Sequence, residues 1–201
     1  MDTLTSSRSW LPALSGLRPG KIYVLFAPHA ARALMLEAAG RLALRSTVRV
    51  LDGGNQFNAY HVARGIRRYT PDLETTLARI QLARAFTCYQ VETLICGAAS
   101  PLHSAALGAG IFQPAAVTLI LDLLATFNDD NVPLAERRRL LERCHLAMRH
   151  IAKQSALLVG LRPARPGHDD QIELVETVLS WADDIWQAEV PAAQPALRLF
   201  A

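Results

Sequence analysis

The sequence predicts an α/β domain with a mainly parallel sheet flanked by helices. Three observations carry this expectation. Short apolar runs alternate with amphipathic stretches along most of the chain, the order expected of strands joined by crossover helices. The runs are apolar enough to read as buried strands. The chain has 201 residues, 51% of them hydrophobic, which suffices for one domain with a real core.

Taken in order, "IYVLFA" (Ile22–Ala27) reads as a buried strand. The stretch behind it places Leu34, Met35, Ala38, Ala39, Leu42 and Ala43 on one helical face, with Glu37, Arg41 and Arg45 on the other. "TVRVLD" (Thr47–Asp52) is the second strand, followed by a two-glycine turn and a helix near Ala59–Tyr69. "IQLARA" (Ile80–Ala85) is a third, short strand with a helix over Tyr89–Cys96 behind it. "SPLHSAALGAGIFQP" reads as loop with a short helical piece. "AVTLILDLL" (Ala116–Leu124) is the most apolar strand and is expected at the sheet centre, with Asp122 as its lone acid.

From Pro133 to Lys153, Leu140, Leu141, Cys144, Met148, Ile151 and Ala152 recur at helical spacing, and proline stands at the start, where its missing N–H costs nothing. "ALLVGL" (Ala156–Leu161) is a further strand, and "RPARPG" breaks the pattern. An acidic helix is expected over about Asp170–Ala188, with Ile172, Val175, Val178, Leu179, Ala182, Ile185 and Trp186 on one stripe. Beyond Pro191 the Ala, Pro and Gln content suggests a flexible tail. The organisation expected is an N-terminal extension (1–20), a core (21–165), a C-terminal helix (166–190) and the tail (191–201).

Charge is uneven. Residues 1–166 hold 20 Lys/Arg against 11 Asp/Glu, whereas 167–201 hold one Arg against seven acids. A basic body attracts phosphates, and the acidic segment opposes that attraction if it folds back. No signal peptide and no spanning run of apolar residues is read, so a cytoplasmic protein with no membrane contact is expected. Cys88, Cys96 and Cys144 lie far apart, outside any zinc-ligand spacing, and read as reduced, buried thiols.

Five pieces in order carry a resemblance: the strand and helix of Lys21–Leu44, then "VLDGGNQF", "RIQLARAFTCYQVETLI", "VTLILDLLATF", and a long helix with "SALLVGLRP". Together they resemble the ATPase core of the RecA-type recombinases, especially the archaeal and eukaryotic members, over about 70% of the chain (Lys21–Pro163). The resemblance implies a RecA-like sheet, with Asp122 in the place of the Walker B aspartate.

The departures from that family concern its chemistry. Its phosphate loop is G-x-x-x-x-G-K-[ST], in which backbone N–H groups cradle phosphate, lysine neutralises it and the hydroxyl helps hold magnesium. Here the matching stretch is "APHAARAL": Ala27 stands at the first glycine, and Arg32, Ala33 and Leu34 stand near the G-K-T end. Side chains take the space phosphate needs, and Arg32 reads as a solvated helix residue. The glutamate that positions water in the family corresponds to Gly54, while Asp52 reads as a turn residue. Leu161 and Arg162 stand where the family has an Asn/Gln pair. With no phosphate cradle, Asp122 has no magnesium to hold and is expected to hydrogen-bond neighbouring loops. The expectation is a degenerate core with no catalytic residue, no cofactor and no metal.

Two further constellations bear on partners. Arg137, Arg138, Arg139 and Arg143 are expected on the exposed side of the long helix, either as a DNA phosphate-contacting patch or as a solvated face paired with Glu136 and Glu142. In the tail, "QPALRLF" supplies Gln194, Leu197, Leu199 and Phe200, one amide and three apolar anchors on a linker. It resembles the peptides by which polymerases and repair proteins bind sliding clamps; the alternative is a tail folded over a strand edge. Asp129 and Asp130 read as turn and cap residues. The function expected is an inactive accessory or scaffold in DNA repair, recombination or damage-tolerant replication, with a recombinase, polymerase or sliding clamp, and DNA, as partners. The alternatives are a divergent ATPase using Arg32 and Asp122, and a purely structural partner that docks through the Ile172–Trp186 stripe.

Overall fold

A computed structural model describes residues 2–4, 11–99 and 115–188. Its centre is a seven-stranded sheet in which every pairing is parallel. The strands are β1 (Asp2–Leu4), β2 (Ile22–Phe26), β3 (Val48–Asp52), β4 (Ile80–Arg84), β5 (Val117–Leu121), β6 (Ala156–Leu161) and β7 (Asp184–Ala188), in the spatial order β1-β7-β2-β6-β5-β3-β4. The helices are α1 (Leu11–Ser15), α2 (Arg32–Ala43), α3 (Ala59–Ile66), α4 (Leu73–Ala78), α5 (Cys88–Ala99), α6 (Leu134–Gln154) and α7 (Asp169–Ser180). This arrangement fits the α/β, RecA-like, mainly parallel sheet flanked by helices that the sequence predicts.

Both sheet faces are covered, as parallel strands require. On one face Leu51, Ile120, Leu157 and Val159 pack with Ile95 of α5, Cys144 and Met148 of α6 and Leu174 of α7. On the other, Tyr23, Leu25, Val50, Leu119 and Leu158 pack with Leu14 of α1, Met35 and Ala39 of α2 and Val62 and Ile66 of α3. Alternate residues of β2 and β6 thus enter opposite cores, so a one-residue slip would invert both faces.

Several expectations are corrected. The C-terminal helix is shorter than expected. It ends at Ser180, and Asp184–Ala188 is strand β7, paired with β2 and β1. The expected helical stripe is therefore divided between two elements. Val175 and Val178 are buried in the first core, Trp186 belongs to the second, where its ring lies 5.3 Å from that of Tyr23, and only Ile172 is substantially exposed. An interface along Ile172–Trp186 has no continuous surface to use. The N-terminal extension joins the fold through β1 on the sheet edge and Leu14 and Leu17 in the core. β6, not β5, is the middle strand, with β5 beside it. The helix near Ala59–Tyr69 stops at Ile66, and α4 was not expected. Residues 100–114 and the tail lie outside the described residues, as do the clamp-binding candidates Gln194, Leu197, Leu199 and Phe200.

Candidate functional site

Because the strands run parallel, their C-terminal ends gather the chemistry of one rim, the place where open α/β sheets bind ligands. The register sets β3 between β4 and β5, with Asp52 opposite Arg84 on one side and Leu121 on the other. Asp122, one residue past β5, therefore lies next to the end of β3, and Arg162, one residue past β6, flanks it from the opposite side.

Asp122 is fully buried, and its backbone is left-handed (φ 51°). Arg162 binds its carboxylate through both ends of the guanidinium fork: Nε donates to Oδ1 at 3.0 Å and Nη2 donates to Oδ2. Gln56 Nε2 donates to Oδ2 at 2.7 Å. The expected structural role of Asp122 takes the form of a charge-assisted, bidentate pair. A protein cation thus engages both carboxylate oxygens.

Gly54 explains how the turn comes so close. A Cβ there would lie 2.8 Å from Asp122 Cβ and 3.0 Å from its Oδ2, so no other residue fits without displacing the aspartate. A glutamate at this position has no room. Asp52, also fully buried, accepts the backbone N–H of Gln56 at 2.8 Å and of Phe57 at 2.9 Å and pairs with Arg84 Nε at 3.2 Å. It holds the turn, as its place before Gly-Gly suggests.

The loop after β2 closes the rim. Pro28–Ala31 form a short 3-10 turn in which His29, Ala30 and Ala31 all have positive φ, at 54°, 49° and 51°. For residues with a Cβ this conformation is costly, about 1–2 kcal/mol each, and it brings the chain down onto β6. Ala30 is fully buried, and its carbonyl oxygen would lie 2.9 Å from a Cβ on Gly160. Ala27 is buried too, its N–H donating to Leu161 O at 3.0 Å. The loop directs a carbonyl and two buried methyl-bearing residues toward the sheet. Arg32 is exposed and donates to Gln56 O at 3.1 Å, while Ala33 is exposed and Leu34 packs at the core edge.

Gln56 and Arg84 carried no individual signal in the sequence, yet Gln56 joins Asp52, Asp122 and Arg32 through its backbone N–H, its amide and its carbonyl. Only the strand register reveals this.

The arginines of α6 correct another expectation. Arg137 is buried; it donates to Phe127 O at 3.2 Å and pairs with Asp170 at 2.6 Å. It shares the helix face of Leu140 and Cys144 and is not available to DNA. Arg138 pairs with Glu173, Arg139 with Glu136 and Arg143 with Glu92. Hydrogen bonding to Glu173 raises the Arg138 pKa and hydrogen bonding to Glu136 raises that of Arg139, as expected of engaged guanidiniums. Of the three cysteines, Cys88 and Cys144 are buried, whereas Cys96 is half-buried beside Glu92, and burial foremost pushes its thiol up to about 11. His145 stacks on Trp181 at 4.3 Å. Asp129 caps its own turn through Asn131. Among the described residues no cluster of His, Cys, Asp or Glu is placed to hold a metal ion, and no helix is long and apolar enough to cross a membrane.

The two buried carboxylates of the rim, Asp52 and Asp122, are thus satisfied from within the chain. Compared with known proteins, the chain matches no protein-family model, and no curated protein is similar to it.

Proposed function

We propose that this chain is a catalytically inactive, RecA-like accessory or scaffold protein in DNA repair, recombination or damage-tolerant replication, working through contacts with proteins and DNA. One observation carries the reading: Arg162 and Gln56 occupy both oxygens of Asp122, the acid at the end of an interior parallel strand. Releasing that carboxylate for a metal would require breaking both guanidinium contacts and the Gln56 amide contact. The packing of Ala30 on Gly160 supports the same reading.

The test is equilibrium binding of a fluorescent ATP analogue with magnesium, carried to millimolar concentration. No saturable signal is expected. A micromolar constant that disappears in Asp122→Ala would replace the scaffold with a divergent ATPase. The partner side of the proposal rests on Gln194, Leu197, Leu199 and Phe200. Capture on a replicative sliding clamp is expected to fall when the chain is cut after Pro191, and equal recovery of the two forms rejects the tether.

A further inference from the structure

A cluster of arginines that face solvent without an acidic partner lies on and just beyond α3, not on the helix the sequence points to. The segment Ala59–Tyr69 holds three arginines and a histidine and no carboxylate. Arg64, Arg67 and Arg68 are exposed, and among the described residues none of them has an acidic partner, in contrast to all five arginines of α6. Arg64 and Arg68 line a cleft of about 190 Å³ between α2 and α3, together with His61, Arg41, Glu37 and Tyr69. Glu37 is committed to Arg41 at 3.0 Å, which leaves the cleft cationic.

The cleft also has flat apolar surface. Tyr69 is 48% exposed, with the Arg41 guanidinium 4.5 Å above its ring and hydrogen-bonded to its hydroxyl. Tyr60, at the other end of α3, is 74% exposed. The negative end of the α3 dipole favours cations at Arg67 and Arg68, but it does not account for a cleft between them and α2, or for tyrosines left in water on either side. Guanidiniums that follow a phosphodiester chain and aromatic faces on which bases stack are the pairing that single-stranded nucleic acid requires, whatever its sequence.

We infer that the α2–α3 cleft binds single-stranded nucleic acid, with Arg64 and Arg68 on phosphates and Tyr69 as a stacking platform. The inference deepens the scaffold reading and rests on it for the choice of partner. The absence of ATP binding tests that reading alone, so the two fail separately.

The experiment is fluorescence anisotropy of the full chain with a labelled oligothymidylate of about 16 nucleotides, a length within reach of one such module, and with a duplex of equal length. The single strand is expected to bind more tightly. Arg64→Glu with Arg68→Glu is expected to weaken it at least tenfold and to flatten the salt dependence by about 0.7 for each phosphate no longer neutralised. Tyr69→Ala is expected to weaken it between about 5- and 160-fold, the range of one stacked base, and Tyr69→Phe to restore most of that loss. Arg139→Glu serves as the comparison and is expected to change little. Absence of binding, preference for duplex, an equal loss in Arg139→Glu, or full competition by thymidine monophosphate at millimolar concentration overturns the inference. The last result would assign the cleft to small phosphates.

Discussion

Arg162 holds both oxygens of the Asp122 carboxylate at once, across the ends of neighbouring parallel strands, with Nε 3.0 Å from Oδ1. The aspartate is fully buried and the arginine side chain is 35% exposed, so the pair is desolvated on one side only.

The pair is expected to be strongly coupled. Arg162→Met leaves a buried carboxylate with Gln56 as its remaining side-chain partner and is predicted to cost about 3 kcal/mol. Asp122→Asn in the same background is predicted to recover much of that loss, because it removes the unpaired charge. A double-mutant cycle by urea unfolding measures the coupling, and additive single effects would show that the pair is not an energetic unit.

Two glycines are predicted to respond oppositely to the same substitution. Gly54→Ala forces a methyl to within 2.8 Å of Asp122 Cβ and is expected to destabilise by about 1–3 kcal/mol. Gly65→Ala in α3 meets nothing within 4 Å and is expected to stabilise by about 0.5–1 kcal/mol. Thermal unfolding of both variants decides; a tolerated Gly54→Ala would mean that the turn is free to move off the aspartate.

Acid is predicted to weaken the C-terminal part of the fold through His145. Burial, and then the neighbouring Arg149 charge, lowers its pKa below the ordinary value. The unfolded chain therefore takes the proton first. The contribution is whole above about pH 6.5, the ordinary histidine value, and is lost as pH falls through the folded pKa. His145→Phe keeps a ring on Trp181 and removes the proton site. The wild type is expected to lose more stability than this variant between about pH 7.5 and 5.5, and parallel losses would rule the group out.

How much of this was legible in the sequence differs from element to element. β6 matches its apolar run residue for residue, because a continuous Ala156–Leu161 stretch leaves no other option. β7 was hidden because Ile172, Val178, Ile185 and Trp186 fall at helical spacing even though the chain changes conformation after Ser180. In five residues, Trp186 and Ala188 on one face are too few to establish a period of two. The unexpected α4 has a start that the sequence does carry: Asp72 accepts the N–H of Thr75, as a D-x-x-T pattern allows. Arg137 was misread as exposed because its charge outweighed its position, which is on the same face as Leu140, Leu141 and Cys144. At the rim, sequence showed which groups a phosphate site lacks. It did not show what fills the space, since the Arg162–Asp122–Gln56 contacts link residues 40 and 66 positions apart.

The close approach of Gly54 to Asp122 and of Gly160 to Ala30 makes the rim interdependent. Removing Arg162 frees the carboxylate but leaves the loop seated on Gly160, and adding a side chain at residue 54 strikes Asp122 before it reaches any water. Lifting the loop leaves Arg162 in place. No single codon change opens a route from this rim to one that holds a phosphate and its metal. The surface-exposed α3, by comparison, can gain or lose a charge one residue at a time, so selection can tune its contacts while the closed end of the sheet stays as it is.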